Sequence, residues 1–223
     1  MSRNKLSKFA ENRESPYVIE PGKTLYEKIK GKWREIQFKN NHPLVLEVAC
    51  GRGEYTTGLA RHFPEKNFVG VDIKGDRIWA GNKTARTEKL ENAAFLRTQM
   101  HFLDRFFDEN EVDDIWLTFP DPRPKRSDER RRLTFPRYMD LYKKILNPAG
   151  WFFFKTDNTG LFEYTLGLFE EKRVKVKNLS YTFDLYSSEM REEHFGIVTK
   201  YEKIWTEKGS RIKYMKFQFE DDE

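Results

Sequence analysis

Short apolar runs alternate with amphipathic stretches over most of the chain. Leu44–Cys50 (LVLEVAC) is an apolar run bounded by Pro43 and Gly51, the mark of a strand buried on both faces. A helical pattern over Glu54–Phe63 follows, then a strand at Asn67–Ile73, a helix from Asp76 to Leu90 and a strand at Ala93–Gln99. A short helix near Phe102–Phe107 precedes another buried strand, Val112–Phe119 (VDDIWLTF). Phe135–Leu146 has helical spacing, Gly150–Asp157 (GWFFFKTD) that of a strand, and Gly160–Lys172 that of a helix. From Val174 to Phe219 the pattern predicts strands, with IKYMKFQF alternating at period two near the end. Strands alternating with helices predict right-handed crossovers and an α/β fold. Its mostly parallel twisted sheet carries helices on both faces, and the tail adds an antiparallel edge.

Residues 1–40 break this rhythm. They are polar, basic and irregular except for a short helix near Thr24–Lys39, so we expect a partly flexible basic extension over 1–40 and a single domain over 41–223. Charge sharpens the picture. The net charge of +5 is concentrated in two places: residues 1–40 hold ten Lys or Arg against five acids, and residues 125–137 hold six against two. Two such patches suggest a polyanionic partner such as nucleic acid, the plainer alternative being solvated surface. An aromatic fraction of 15% argues against disorder. A single cysteine excludes an intrachain disulfide and suggests a reducing compartment. The N-terminal MSRNKLSKFAENRES lacks a signal peptide's apolar core, and no apolar run approaches the roughly 20 residues that span a bilayer. A cytoplasmic protein with no membrane partner is expected. The four histidines lack metal-ligand spacing, so no metal is expected.

Candidate chemistry sits at the predicted strand ends. The first strand ends E-V-A-C-G-R-G, Glu47 to Gly53, where Gly51 and Gly53 let the backbone turn tightly and approach a ligand. The second ends V-G-V-D, and Asp72 is placed to accept hydrogen bonds from both ribose hydroxyls of a nucleoside. A dinucleotide fingerprint needs a third glycine at position 56, which is Thr56, and Glu47 would repel a pyrophosphate. A carboxylate there suits the ammonium and sulfonium of S-adenosylmethionine instead; NAD is the disfavoured alternative. The plain reading of Glu47 is a buried acid neutralised by Lys or Arg. Cys50 invites a thiolate nucleophile, but its place in the glycine turn favours a small packed side chain.

The stretch FPDPRPKRSDERRRLTFP, Phe119 to Pro136, is too rich in proline for helix or central strand and must be a loop. Asp121 emerges there beside the expected cofactor mouth, with the basic run behind it. F-P-D-P-x-P-K, R-R-L-T-x-P, K-T-D-N (Lys155–Asn158) and T-K-Y-E (Thr199–Glu202), in that order from about Leu44 to Lys203, resemble the bacterial tRNA (guanine-N7)-methyltransferases. The resemblance implies a Rossmann-like class I methyltransferase fold. It also implies methyl transfer from S-adenosylmethionine to N7 of a guanosine in the tRNA variable loop. By the family's pattern Glu47, Asp72, Gln99 and Asp121 contact the cofactor, with Asp121 also catalytic. Lys125, Asp157, Thr199, Lys200, Tyr201 and Glu202 would bind the substrate guanosine, with Asp157 or Glu202 facing the guanine N1–H and N2–H edge. Ser127, Asp128, Glu129, Arg130, Arg131 and Arg132 would meet the RNA. Two departures stand out: the family's glycine is Ala49 here, and its Asp or Asn is Gln99, with Met100 adjacent. Without the resemblance, Asp121 reads as a turn former and Asp157 or Asn158 as a helix cap. Alternatives are a non-catalytic RNA-binding protein or a methyltransferase acting on another base position. Monomer and homodimer are both compatible with the sequence.

Overall fold

The computed structural model describes residues 3–220. Its strands are β1 (Val18–Ile19), β2 (Leu44–Val48), β3 (Asn67–Asp72), β4 (Ala93–Arg97), β5 (Val112–Thr118), β6 (Leu146–Thr156), β7 (Val176–Thr182) and β8 (Lys213–Phe219). They form one sheet in the order β1-β4-β3-β2-β5-β6-β8-β7. The first six in that order run parallel, while β8 is antiparallel to β6 and β7 to β8. The helices are α1 (Arg3–Glu14), α2 (Glu54–His62), α3 (Gly75–Glu88), α4 (Pro136–Ile145), α5 (Thr159–Glu170) and α6 (Lys200–Glu207).

Side chains that alternate along β2 explain the two-sided core. Leu44, Leu46 and Val48 join a cluster with Tyr142 and Ile145 of α4, Phe162 of α5, and Trp33 and Phe38 of a π-helical turn at Trp33–Phe38. Val45 faces the other way, into Tyr55 and Leu59 of α2 and Ile78 of α3. Glu47 shares the α2 face with Val45 by the same alternation. Burial on both faces is why β2 reads as an apolar run broken only by Glu47.

The chain departs from its hydropathy pattern at both ends. Irregular structure was expected near the N-terminus, yet Arg3–Glu14 is helical and Val18–Ile19 pairs with β4. Hydropathy misses α1 because polar groups dock it. The Asn12 side chain donates to Gly75 O at 2.7 Å and accepts from Asn82 Nδ2 at 3.0 Å, and Ser15 Oγ donates to Asn82. Lys23 Nζ closes the following turn on the carbonyls of Asn12, Ser15 and Val18. In the tail, predicted as strands throughout, β7 and β8 flank two 3-10 turns (Leu185–Ser187 and Glu189–His194) and α6. The predicted strand Ala93–Gln99 stops at Arg97, leaving Gln99 extended just beyond β4. Among the described residues no helix is long and apolar enough to cross a membrane, and no cluster of metal-binding side chains occurs.

Candidate active site

The chain winds from β2 through β3 to β4 in one direction and through β5 to β6 in the other. The crevice beyond the carboxyl ends of β2 and β5 is therefore the switch point where ligands of such sheets bind. A cavity of about 1040 Å³ opens there. It brings together Glu47, Gly51, Asp72, Gln99 and Asp121, which come from four separate strand ends, and faces them with Arg131, Thr199, Lys200 and Tyr201. Met100 lines it beside Gln99, so either alignment of that strand end reaches the cavity.

Glu47 is only 4% exposed and, among the described residues, has no cationic partner. Its Oε2 accepts from Thr56 N–H at 2.7 Å and from the Thr56 hydroxyl, while Oε1 accepts from Thr118 Oγ1 at 2.8 Å. An ionised carboxylate has about four acceptor sites. Three donors leave a lone pair of Oε1 for a ligand. Burial pushes the Glu47 carboxyl up to about 7, against the hydroxyl and amide bonds that pull it down. The alternative in which a Lys or Arg neutralises Glu47 finds no such partner among the described residues. Thr56, where a dinucleotide fingerprint would have glycine, is the residue that holds Glu47. That role of Thr56, and Thr118 altogether, escaped notice in the sequence because each acts through a tertiary contact.

The turn after β2 is left-handed three times, at Ala49 (φ 57°), Gly51 (φ 56°) and Gly53 (φ 69°). A Cβ on Gly53 would also lie 2.5 Å from the Phe95 ring of β4, so only glycine lets the start of α2 sit this close to the sheet. Gly53 thus lies beneath the cavity lining, not in it. Gly51 N–H donates to Asp72 Oδ2 at 3.0 Å, and Lys74 N–H to Oδ1 at 2.8 Å, which locks the glycine turn to the end of β3. Cys50 is buried, and burial first, then the Glu47 and Asp72 charges, raise its thiol well above the ordinary range, against a thiolate nucleophile.

Past β5 the backbone is left-handed at Phe119 (φ 47°) and Arg123 (φ 46°), non-glycine strain of the kind concentrated at functional loops. Between them Asp121 is 63% exposed at the cavity mouth and pairs with Arg123 Nε at 3.0 Å. Lys125 stands away from the cavity, exposed, ahead of a 3-10 turn over Arg126–Arg131. Within that turn Ser127 and Arg130 are exposed. Asp128 binds Arg131 at 3.1 Å, and Glu129 accepts from Tyr164 OH at 3.0 Å, so both acids anchor the loop. Arg132 stacks its guanidinium 4.2 Å from the Tyr164 ring.

Across the cavity, Thr199 caps α6 in a full capping box: its hydroxyl accepts from Glu202 N–H, and the Glu202 carboxylate accepts from Thr199 N–H. The T-x-x-E spacing carries that signal in the sequence. Glu202 does not line the cavity. It is 0% exposed, 2.7 Å from Lys155 Nζ, and accepts from the Tyr186 hydroxyl, so it is turned into the protein and away from the cavity lining. Asp157 is half-buried beside the cavity, accepting from Tyr201 OH at 3.3 Å. The cap of α5 is Asn158, whose side chain accepts from Leu161 N–H at 2.8 Å.

Comparison with known proteins agrees with this architecture. Residues 41–215 match a family model described as "Putative methyltransferase". A tRNA (guanine-N(7)-)-methyltransferase of Cytophaga hutchinsonii is 47% identical, over 98% of this chain and 99% of that protein. One of Bacteroides fragilis is 45% identical, over 97% and 86%. Among solved structures, a 16S rRNA methyltransferase, KamB, superposes with TM-score 0.62 over 86% of this chain and 94% of that one, at 14% identity, a likeness of fold alone. The Rossmann-like methyltransferase sheet, the carboxylate-lined switch point and near-full-length identity converge, and the chain belongs to the tRNA (guanine-N7)-methyltransferase family.

Proposed function

We propose that this protein binds S-adenosylmethionine at the ends of β2, β3 and β4 and methylates N7 of a guanosine in the variable loop of tRNA. The observation that carries the reading is Glu47: a carboxylate buried at an open cavity, held by neutral donors, with an acceptor site free and no cation among the described residues paired with it. An ammonium group fits that environment and a pyrophosphate does not. Asp72 would take the ribose hydroxyls, Gln99 the adenine edge through its amide, and the open side of Gly51 lets the ligand lie against the backbone. When bound, the cofactor supplies an electrophilic methyl group on a sulfonium.

The acceptor chemistry asks little of the protein. Guanine N7 bears a lone pair and no proton, so no strong base is required; alignment supplies most of the rate. Alkylation leaves the base positively charged, and Asp121 at the cavity mouth would stabilise that charge as it develops. With Glu202 committed to Lys155, Asp157 is the carboxylate available for the guanine N1–H and N2–H edge, next to Thr199, Lys200 and Tyr201. The guanosine has to unstack to reach the pocket, and Lys125 with Ser127–Arg132 would hold flanking phosphates. Arg123 would release Asp121 as it turns toward a phosphate. The test is labelled methyl transfer to an unmodified tRNA transcript followed by nucleoside digestion. Label in 7-methylguanosine, lost in Asp121→Ala with the fold retained, is expected; label in another nucleoside overturns the base assignment.

A further inference from the structure

Lys155 is a buried charge with no direct part in the site above. It lies one residue before the end of β6, after the apolar Phe152 and Phe154, and its side chain is 0% exposed with the ammonium 2.7 Å from the equally buried Glu202. Three rings surround it, Tyr55 at 5.3 Å, Phe119 at 5.7 Å and Tyr186 at 5.8 Å. Each ring belongs to a different segment: α2 just after the glycine turn, the Asp121 loop, and the turn Leu185–Ser187. The carbonyl of Lys155 also accepts from Phe119 N–H at 2.8 Å. One residue is thus bonded through its backbone to the loop bearing Asp121. Through its side chain it is ion-paired with the capping-box carboxylate in the first turn of α6, the helix that presents Thr199, Lys200 and Tyr201 to the cavity.

A buried ion pair is an inefficient stabiliser, because desolvation offsets most of the attraction and an apolar pair of equal volume fills the space as well. What it adds is direction, since a single approach satisfies both charges. We propose that Lys155 is a positioning residue for methyl transfer. It holds the Asp121 loop and the N-terminus of α6 at a fixed separation across the cavity, through Glu202, without touching either substrate. The proposal rests on the methyltransferase reading given above.

The experiment compares the parent with Lys155→Met/Glu202→Gln, which removes both charges, keeps the length of the side chain at 202, shortens that at 155 by one atom and retains a residue suited to the capping box. Thermal melting, affinity for S-adenosylhomocysteine by calorimetry, and kcat on a tRNA transcript are measured. The expected result is a cooperative melt, affinity within about threefold of the parent, and kcat lowered about tenfold or more, because misplacement by about 1 Å can cost roughly a hundredfold in rate. A folded variant with kcat within about twofold of the parent overturns the proposal, and so does an equal fall in kcat and affinity. If the double variant does not fold, Glu202→Gln alone is judged by the same criteria. Failure of both to fold assigns the pair to stability and likewise overturns the proposal. Absence of 7-methylguanosine from the parent reaction is a different failure, that of the functional reading itself.

Discussion

Glutamine in place of Glu47 keeps the side chain's shape and removes its charge. The amide oxygen can accept from Thr56 N–H, and the amide nitrogen can donate to the Thr118 hydroxyl once that rotates, so the local bonds survive. Two consequences follow from a carboxyl raised to about 7 in the folded chain. The first concerns stability. Below about pH 4.5 Glu47 is protonated in both folded and unfolded chains, and its contribution to stability is fully present. As pH rises toward 7 the unfolded chain releases the proton while the folded one keeps it. Ligand-free stability is then lost at up to about 1.4 kcal/mol per pH unit, about 3 kcal/mol in all, levelling off above the folded value. Glu47→Gln abolishes that slope. The second concerns binding. An ammonium selects the ionised carboxylate, so about one pH unit below the folded midpoint, binding of S-adenosylhomocysteine releases close to one proton. Losing a charge-assisted hydrogen bond of about 1.5–3 kcal/mol weakens binding roughly tenfold to a hundredfold. Calorimetry in two buffers of different ionisation enthalpy measures affinity and proton release together. Equal affinity for parent and variant, or no proton release by the parent in that range, would refute the placement of the ammonium on Glu47.

Two further outcomes follow from the same geometry. Arg130 and Arg131 project from the loop, the latter with 67% of its side chain exposed, so replacing both with alanine lowers the slope of log affinity for tRNA against log salt by about 1–2. Cofactor affinity stays unchanged, and an unaltered slope removes this loop from the RNA interface. Ala49, at φ 57°, sits where an L side chain is strained by about 1–2 kcal/mol and glycine pays about 0.5–1 in chain entropy. Ala49→Gly is therefore expected to raise stability by up to about 1 kcal/mol in denaturant titration; destabilisation would mean that the Ala49 methyl packs usefully.

The parallel strands were legible because burial on both faces leaves short apolar runs such as Leu44–Leu46 and Ile115–Leu117, each bounded by turn or polar residues. Glu47, Asp72, Gln99 and Asp121 could be expected at one crevice because each ends or follows a strand. The rest needed the fold. The α1 segment has few apolar positions, and it docks through Asn12, Ser15 and Asn82, whose pairing no periodicity reports. The short α6 was overridden by strand-like composition despite its Thr199–Glu202 capping signature. Asp157 or Glu202 was expected at the guanine edge; of the two, Glu202 is buried against Lys155, a partner on a strand far away in the chain that no local pattern reports.

Methylation at N7 itself is the central claim, and a tRNA transcript in which guanosine is replaced by 7-deazaguanosine tests it at the atom concerned. That base keeps the N1–H and N2–H edge but has carbon in place of the nucleophilic nitrogen. The account predicts that the substituted transcript binds, competes with the natural one and accepts no methyl group. Transfer to the substituted transcript at the rate of the natural one would contradict the assignment of N7 as the acceptor.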